Sequence, residues 1–463
     1  MGPRFRNIDR DTPMLLPPDL RDWVDEDDLV HFVIAAVQRL PLSHLHVNYK
    51  GTGDAQYSPH MMLALLIYSY ANGMTSSRRI ERATHRDIAV RYLTGNTHPD
   101  HDTISAFRRK NLPALGPAFL EVLELARELK LLKLGNISLD GTHLKANASI
   151  DQNVTYERAQ QLRIQLEEDI AQLFTQAEQA DQEEDPQRLP KELDRLKKLH
   201  AKMDGAIAEL KQRADQRDQK ARAKYQGKLA ARRSKESLQG RKFGGSAPKP
   251  PVTGPENSSE QCNLSDVEAR IMRKNKRSSY TQSYNAQAAV DADGSQLIVG
   301  QHVSQSASDS RELENGIASI PIELGAPTAV LVDAGYVNAE AIERVQQEGQ
   351  TEVYCSVHRE DAHSERRYDY RPRKQSERPV KKITDPRLIK MKEKLQTEEG
   401  KALYGLRNKT VEPVFGIIKS AMGIRGFQLR GHEKVSGEWT LICLSYNLKR
   451  LNQLTKQQAA EKN

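Results

Sequence analysis

Three carboxylates in this chain stand where a fold could aim them at one point. Asp140 ends the short apolar run Asn136-Ile137-Ser138-Leu139-Asp140, and Asp333 ends Thr328-Ala329-Val330-Leu331-Val332-Asp333. An acid at the end of a strand has its direction fixed by the pleat, so neighbouring strands can point two such acids at the same place. Glu412 opens the apolar stretch Glu412-Pro413-Val414-Phe415-Gly416-Ile417-Ile418-Lys419. A helix beginning there tolerates Pro413 in its first turn and can present a third carboxylate. Gathered carboxylates repel one another unless a divalent cation lies between them, and hard oxygen ligands suit Mg²⁺ or Mn²⁺. Two such ions can activate a water or a 3′-hydroxyl and stabilise the leaving oxygen in phosphodiester cleavage. Taken singly, Asp140-Gly141 and Asp333-Ala334-Gly335 also read as turns after strands. The joint pattern is what points to chemistry.

Cations accompany these acids. Lys419 lies seven positions after Glu412, nearly two helical turns, so both project the same way and the ammonium can meet a phosphate. Arg407 suits a bidentate phosphate clamp. His143 is read as a neighbour of Asp140 without a role of its own. Nearer the N-terminus, Arg78-Arg79 and Arg108-Arg109 sit on short capped helices, as in helix-turn-helix DNA readers, an arrangement that solvated basic faces share. The cluster His98-Pro99-Asp100-His101-Asp102 is read as a turn and N-cap, not a metal site.

The elements that must position these groups follow from periodicity. Residues 1–130 read as helices: Leu29 to Leu40 is apolar at helical spacing, and Ser58-Pro59 before His60-Met61-Met62-Leu63 supplies an N-cap and a Pro at N1. From about Tyr156 to Gly240 Glu, Gln, Lys, Arg, Ala and Leu dominate. Leu166, Ile170, Leu173 and Ala177 form one seam, and Leu193, Leu196, Met203, Ile207 and Leu210 form another. Pro186 and Pro190 interrupt them, which predicts a coiled-coil hairpin over 153–243. The basic run Lys211 to Lys242 admits two readings, a phosphate-contacting arm or a solvated helix. Gly244 to Ser259 is rich in Gly, Pro and Ser and predicts a flexible linker, extending over 244–279.

Strand signals lie on both sides of this insertion. After it come a hairpin (Tyr284 to Val290 and Gln296 to Gly300, around Asp291-Ala292-Asp293-Gly294-Ser295), a helix at Asp309 to Ile317, the Asp333 strand, a helix at Asn338 to Gln347 and a strand at Thr351 to Ser356. Removing the insertion leaves 131–152 and 280–450 with the element order of an RNase H-like α/β domain, a mixed sheet covered by helices on both faces, behind an all-α N-terminal domain over 1–130.

Bulk properties agree. The chain has 463 residues, 29% of them charged and 37% hydrophobic, with a formal charge of +8 and pI near 9.1. That length predicts two or three units, and the charge suits an acidic partner, above all nucleic acid. Cys262, Cys355 and Cys443 are far apart, so neither a disulfide framework nor a zinc ribbon is indicated, and a cytoplasmic setting is expected. Neither a secretory leader nor a membrane span is legible.

Three segments, Ser138-Leu139-Asp140-Gly141-Thr142-His143-Leu144-Lys145, Tyr284-Asn285-Ala286-Gln287-Ala288-Ala289-Val290-Asp291 and Val332-Asp333-Ala334-Gly335-Tyr336, resemble the DDE transposases of bacterial insertion sequences. Tyr404, Arg407, Glu412 and Lys419 resemble the Tyr-Arg-Glu-Lys signature of that superfamily, although the gap between Arg407 and Glu412 is one residue longer than its commonest form. The resemblance covers most of the chain outside 153–260. It implies that Asp140, Asp333 and Glu412 bind two Mg²⁺ ions and that Tyr404, Arg407 and Lys419 contact the transposon end. It also implies DNA-end binding by the N-terminal helices, duplex DNA at both transposon ends and target as partner, and a dimer that pairs two ends. A nuclease of the same fold without strand transfer, or a catalytically silent DNA-binding derivative, would share much of this pattern.

Overall fold

The computed structural model describes residues 19–41, 43, 45–46, 56–179, 188–242, 244–273, 278–348, 351–357 and 383–462. Six helices come first: α1 (Leu29–Gln38), α2 (Pro59–Ala71), α3 (Ser77–Arg86), α4 (Ile88–Leu93), α5 (His101–Lys110) and α6 (Leu115–Glu128). Short acids start several of them. Asp28 accepts from Val30 N, Asp87 from Val90 N, and Asp100 from the amides of Asp102 and Thr103, so the His98 to Asp102 segment is a turn and cap. Helix α2 is buried from Met62 to Ala71, as a helix apolar on every face must be.

The central sheet contains β1 (Asn136–Lys145), β4 (Arg270–Met272), β5 (Thr281–Asp291), β6 (Ile298–Ser304), β7 (Ala329–Val332) and β8 (Glu352–Cys355). Its order is β4-β5-β1-β7-β8, with β6 also on β5. Strand β1 runs antiparallel to β5 and parallel to β7, so the sheet is mixed. Helix α9 (Glu312–Ala318) approaches one face so closely that a Cβ at Gly316 would lie 2.4 Å from Leu139. The other covering helices are α10 (Ala339–Glu348), α11 (Pro386–Lys394), α12 (Glu398–Gly405) and α13 (Arg407–Gly416).

The long last helix, α14 (His432–Lys462), ties the molecule together. Asn447 accepts from Ile298 N at 2.9 Å and donates to Ile298 O at 2.8 Å, satisfying the start of edge strand β6. On its other side α14 meets α1, α2 and α6, and one hydrophobic core runs unbroken from Val30 through Leu144 and Val330 to Leu451. The N-terminal helices on one side of the expected boundary at residue 130 thus share a core with the elements on the other. Glu438, 1% exposed, clamps this junction by accepting from Tyr70 Oη and the amides of Gln428 and Leu429.

Between β1 and β5 lie β2 (Asn153–Thr155), α7 (Tyr156–Gln179), α8 (Arg188–Gln239) and β3 (Gln261–Asn263). Helices α7 and α8 run antiparallel, with Arg163 facing Asp204 and His200 facing Glu167. Leu166, Met203, Ile207 and Leu210 are buried between them, whereas Pro186 lies outside the described residues and the side chain of Ala177 is likewise undescribed. Described residues of the 244–279 segment are tied to α8 by hydrogen bonds. Arg232 donates to Gly245 O and Ser246 O, Arg217 to Gly254 O, and Gly254 N to Asp218, which lay it along α8. Strand β3 then pairs with β2, and β4 extends the central sheet. Polar side chains reaching backbone groups are invisible to a composition argument.

Candidate active site

Strand register brings the two aspartates together. Parallel pairing sets Ser138 opposite Leu331, and two further steps along the same register place Asp140 level with Asp333 at the end of β7. Asp333 is also the N-cap of the turn that follows, accepting from Gly335 N at 2.7 Å. Asp140 accepts from Gly141 N at 2.8 Å.

Glu412 arrives from α13, but that helix begins at Arg407, not at Glu412, so Pro413 is interior. Pro413 cannot donate to the carbonyl four residues back. That carbonyl, Lys409 O, accepts instead from Gln296 Nε2 at 2.8 Å, which explains how the helix survives its proline. Residues Ile417–Ala421 then widen into a π turn, so two regular turns do not separate Glu412 from Lys419. The Lys419 ammonium reaches Thr142 Oγ1 on β1, two residues beyond Asp140.

The three carboxylates converge on Arg407. Its guanidinium lies 4.0 Å from Asp140, 3.8 Å from Asp333 and 3.6 Å from Glu412. The arginine side chain is 7% exposed, against 58% for Glu412. These are ion pairs beyond hydrogen-bond length, and Arg407 Nε is buried with no hydrogen-bond partner among the described residues. One guanidinium supplies a single charge to three acids. Burial, and next the charge of Asp333, push Asp140 up to about 7 despite Arg407. Such a donor set, all hard oxygens and under-neutralised, fits a divalent cation. As they stand, no three acidic, histidine or cysteine side chains among the described residues are gathered tightly enough to coordinate an ion.

The shift of Asp140 has a measurable sign. Between the ordinary carboxylate value of 3.8 and about 7 the folded protein holds a proton that the unfolded chain releases. Stability in EDTA therefore falls as pH rises through that interval. Thermal melts of the native protein and Asp140→Asn should diverge there, the native melting point dropping relative to the variant. Parallel curves would show that Asp140 is not held protonated.

Behind β1 lies a polar network that the sequence reading passed over. Gln287 and Asn285, paired with Gly141 and His143, both donate to Asp309 Oδ1, at 2.6 and 2.8 Å, and Tyr336 Oη donates to Gln287 Oε1. A Cβ on Gly141 would lie 2.1 Å from the Gln287 amide and 2.7 Å from Asp309, so only glycine lets β1 rest on this network. The signal was present: two amides spaced by two in an otherwise small and apolar strand cannot be buried unpaired. His143 is half-buried, and its carbonyl faces Lys419 at 3.5 Å.

The remaining expected residues separate. Tyr404 packs with Leu331, Tyr354 and Leu403 beside the arginine. Arg78, Arg79 and Arg109 are exposed on α3 and α5. Arg108 is a correction to the DNA-facing expectation: it is 5% exposed and donates to Tyr70 Oη at 2.7 Å and Thr75 O at 2.9 Å, because helical spacing turns it inward while its neighbour faces out.

Residues 251–448 match a family model described as a transposase DDE domain, and residues 18–110 match one described as a transposase domain. The first match takes in Asp333 and Glu412, while Asp140 is joined to it by the pairing of β1 with β5 and β7. The DDE domain implies an RNase H-like fold, in agreement with the curled mixed sheet. No curated protein and no solved structure matches the chain. Among the described residues no helix is long and apolar enough to cross a membrane.

Proposed function

The chain belongs to the DDE transposases of insertion sequences, and from that premise we propose that it binds the terminal inverted repeats of its element, cleaves their phosphodiester bonds and joins the 3′-hydroxyl ends to target DNA. The observation that carries this reading is the convergence of Asp140, Asp333 and Glu412 on one point, each within 4.0 Å of the Arg407 guanidinium. DDE transposases use divalent metal ions. Here two Mg²⁺, or Mn²⁺, held by these carboxylates would activate the attacking oxygen and stabilise the leaving one.

The chain's own groups do the positioning. Asp140 and Asp333 are held by adjacent strands, and the Gln287–Asp309 network backs the Asp140–Gly141 peptide. Arg407 balances part of the acidic charge at rest and is placed to turn toward a scissile phosphate. Lys419, anchored at Thr142 two residues from Asp140 on β1, suits a second phosphate. Tyr404 supports Arg407 from the side. Two element ends call for two copies of the chain, hence a dimer in the synaptic complex, and the setting is the cytoplasm.

End recognition belongs to the N-terminal helices. Because α14 shares their core, deleting residues 1–130 would strip that helix, so surface substitution is the clean test. Arg78→Ala/Arg79→Ala/Arg109→Ala should lower the preference for end DNA over random duplex and reduce the slope of log K against log salt by about 2 to 3. Binding titrations over a range of salt check this. An unchanged preference would move end reading to another surface.

A further inference from the structure

An open cleft lies away from the carboxylates, between helix α8 and the strands at the base of the insertion. About 790 Å³ in volume, it is lined by Arg213, Arg217, Lys220 and Arg270, with exposed Tyr280 on the opposite wall. Glu260 is the one acid in that lining. Arg213 and Arg270 share a single carboxylate, Glu209, at 2.9 and 3.0 Å, which leaves the pair with net positive charge and fixes α8 to β4 of the central sheet.

The basic lining continues beyond the cleft. Arg213, Arg217, Lys220, Lys224 and Lys228 follow one another at intervals of three or four residues and so occupy one helix face. At 1.5 Å per residue the stripe is about 22 Å long. Asp215 and Glu236 point elsewhere by the same spacing, whereas Asp218 accepts from Gly254 N at 2.6 Å and pairs with Arg217 at 3.1 Å, so the stripe's unpaired charge lies on its lysines. Lys220, Lys224 and Lys228 are exposed, and among the described residues none of the three has an acidic partner.

The strands relate this stripe to the acidic site. Arg270 pairs with Ser283, which pairs with Lys145, five residues along β1 from Asp140. Lys145 thus lies about 17 Å from Asp140 at strand rise, and two strand spacings of about 5 Å separate it from Arg270, so the cleft begins roughly six base pairs of duplex from the acids.

We propose that the cleft and the α8 stripe form a sequence-independent clamp for the sugar-phosphate backbone of the duplex that enters the carboxylate site. This rests on the transposase reading and assigns the helical insertion a partner, duplex DNA. Lys220, Lys224 and Lys228, spaced along one helix face and without acidic partners among the described residues, complement a phosphate ladder, and an open groove with a rigid floor admits a rod.

Binding in EDTA to two probes of about 30 base pairs, one an element end and one random in sequence, tests it. Lys220→Ala/Lys224→Ala/Lys228→Ala should bind both probes about 10- to 100-fold more weakly at 0.1 M salt, with a salt slope lower by about 2 to 3 and the ratio between probes preserved. The corresponding Lys→Arg triple variant should bind as the native protein does. Because these side chains are exposed, the melting points of both variants should stay native. Single variants Lys220→Ala and Lys224→Ala, each lowering the slope by about 1, keep the test decisive should the triple variant fold poorly. Native affinity and slope in the alanine variants would overturn the clamp while leaving the transposase reading intact. Loss of end preference alone would also overturn it, since that is base reading. Failure of the native protein to bind either probe would overturn both.

Discussion

Asp140→Asn, Asp333→Asn and Glu412→Gln are each expected to reduce cleavage of end DNA by about 10³-fold or more while leaving binding in EDTA within about twofold. The amide variants keep the size of each side chain and remove one unit of negative charge from a point shared by three acids. Losing a group that merely orients a metal ligand costs about 10- to 100-fold, so losing a ligand costs more. Binding survives because none of the three acids is placed to hold phosphate; each repels it. Asp140→Asn should even strengthen binding slightly. Cleavage and gel-shift assays on the same preparations decide the matter. Native cleavage by any two of the variants would show that this carboxylate cluster is not the reactive centre.

Arg407 supplies the second large effect, and its place among the acids sets a signature different from that of a surface phosphate clamp. Read as a phosphate clamp, Arg407→Ala should slow cleavage at saturating DNA without altering the metal requirement. Its guanidinium lies within 3.6 to 4.0 Å of all three acids, so that expectation now holds for Lys419→Ala alone. Removing the arginine leaves three acids, of which Asp140 alone is largely buried, without their counter-charge. For a fully buried pair the loss is about 3 to 5 kcal/mol, and because Asp333 and Glu412 face water we expect roughly 2 to 4 kcal/mol here. Arg407→Ala should therefore melt several degrees lower in EDTA and recover most of the difference in Mn²⁺. Its half-saturating Mn²⁺ concentration should fall, because the ion no longer competes with a fixed cation. Equal melting points in EDTA, or a higher Mn²⁺ requirement, would rule out the counter-ion role.

The legible part of this fold was the part written in periodicity. The apolar runs before Asp140 and Asp333 became neighbouring strands because β branching and burial leave such runs few alternatives, but β1 continues to Lys145, so Asp140 lies within its strand and only Asp333 stands at a strand end. The hairpin of β5 and β6 followed from Asp291-Ala292-Asp293-Gly294-Ser295, and the seam residues Leu166, Met203 and Ile207 found one another across α7 and α8. What escaped was set by tertiary partners. The start of α13 moved five residues because Gln296, distant in sequence, satisfies the carbonyl that Pro413 releases. Arg108 turned inward to Tyr70, and Arg407 became the hub of the acids because it lies at the first turn of α13, beside them, where spacing alone suggested a surface clamp.

The seating of α14 against α1, α2 and α6 also governs how the chain reaches this state. The first helices complete their apolar contacts only when the last thirty or so residues exist. Strand β1 likewise waits for β5 and β7, with the whole helical hairpin between them. During synthesis the N-terminal helices must therefore persist with open apolar surface until α14 has emerged, a slow, long-range closure that invites capture by chaperones. Premature termination before His432 would not trim an appendage. It would leave the first 130 residues without the surface they fold on, so shortened products should be degraded or aggregate and not survive as DNA-binding competitors of the full protein.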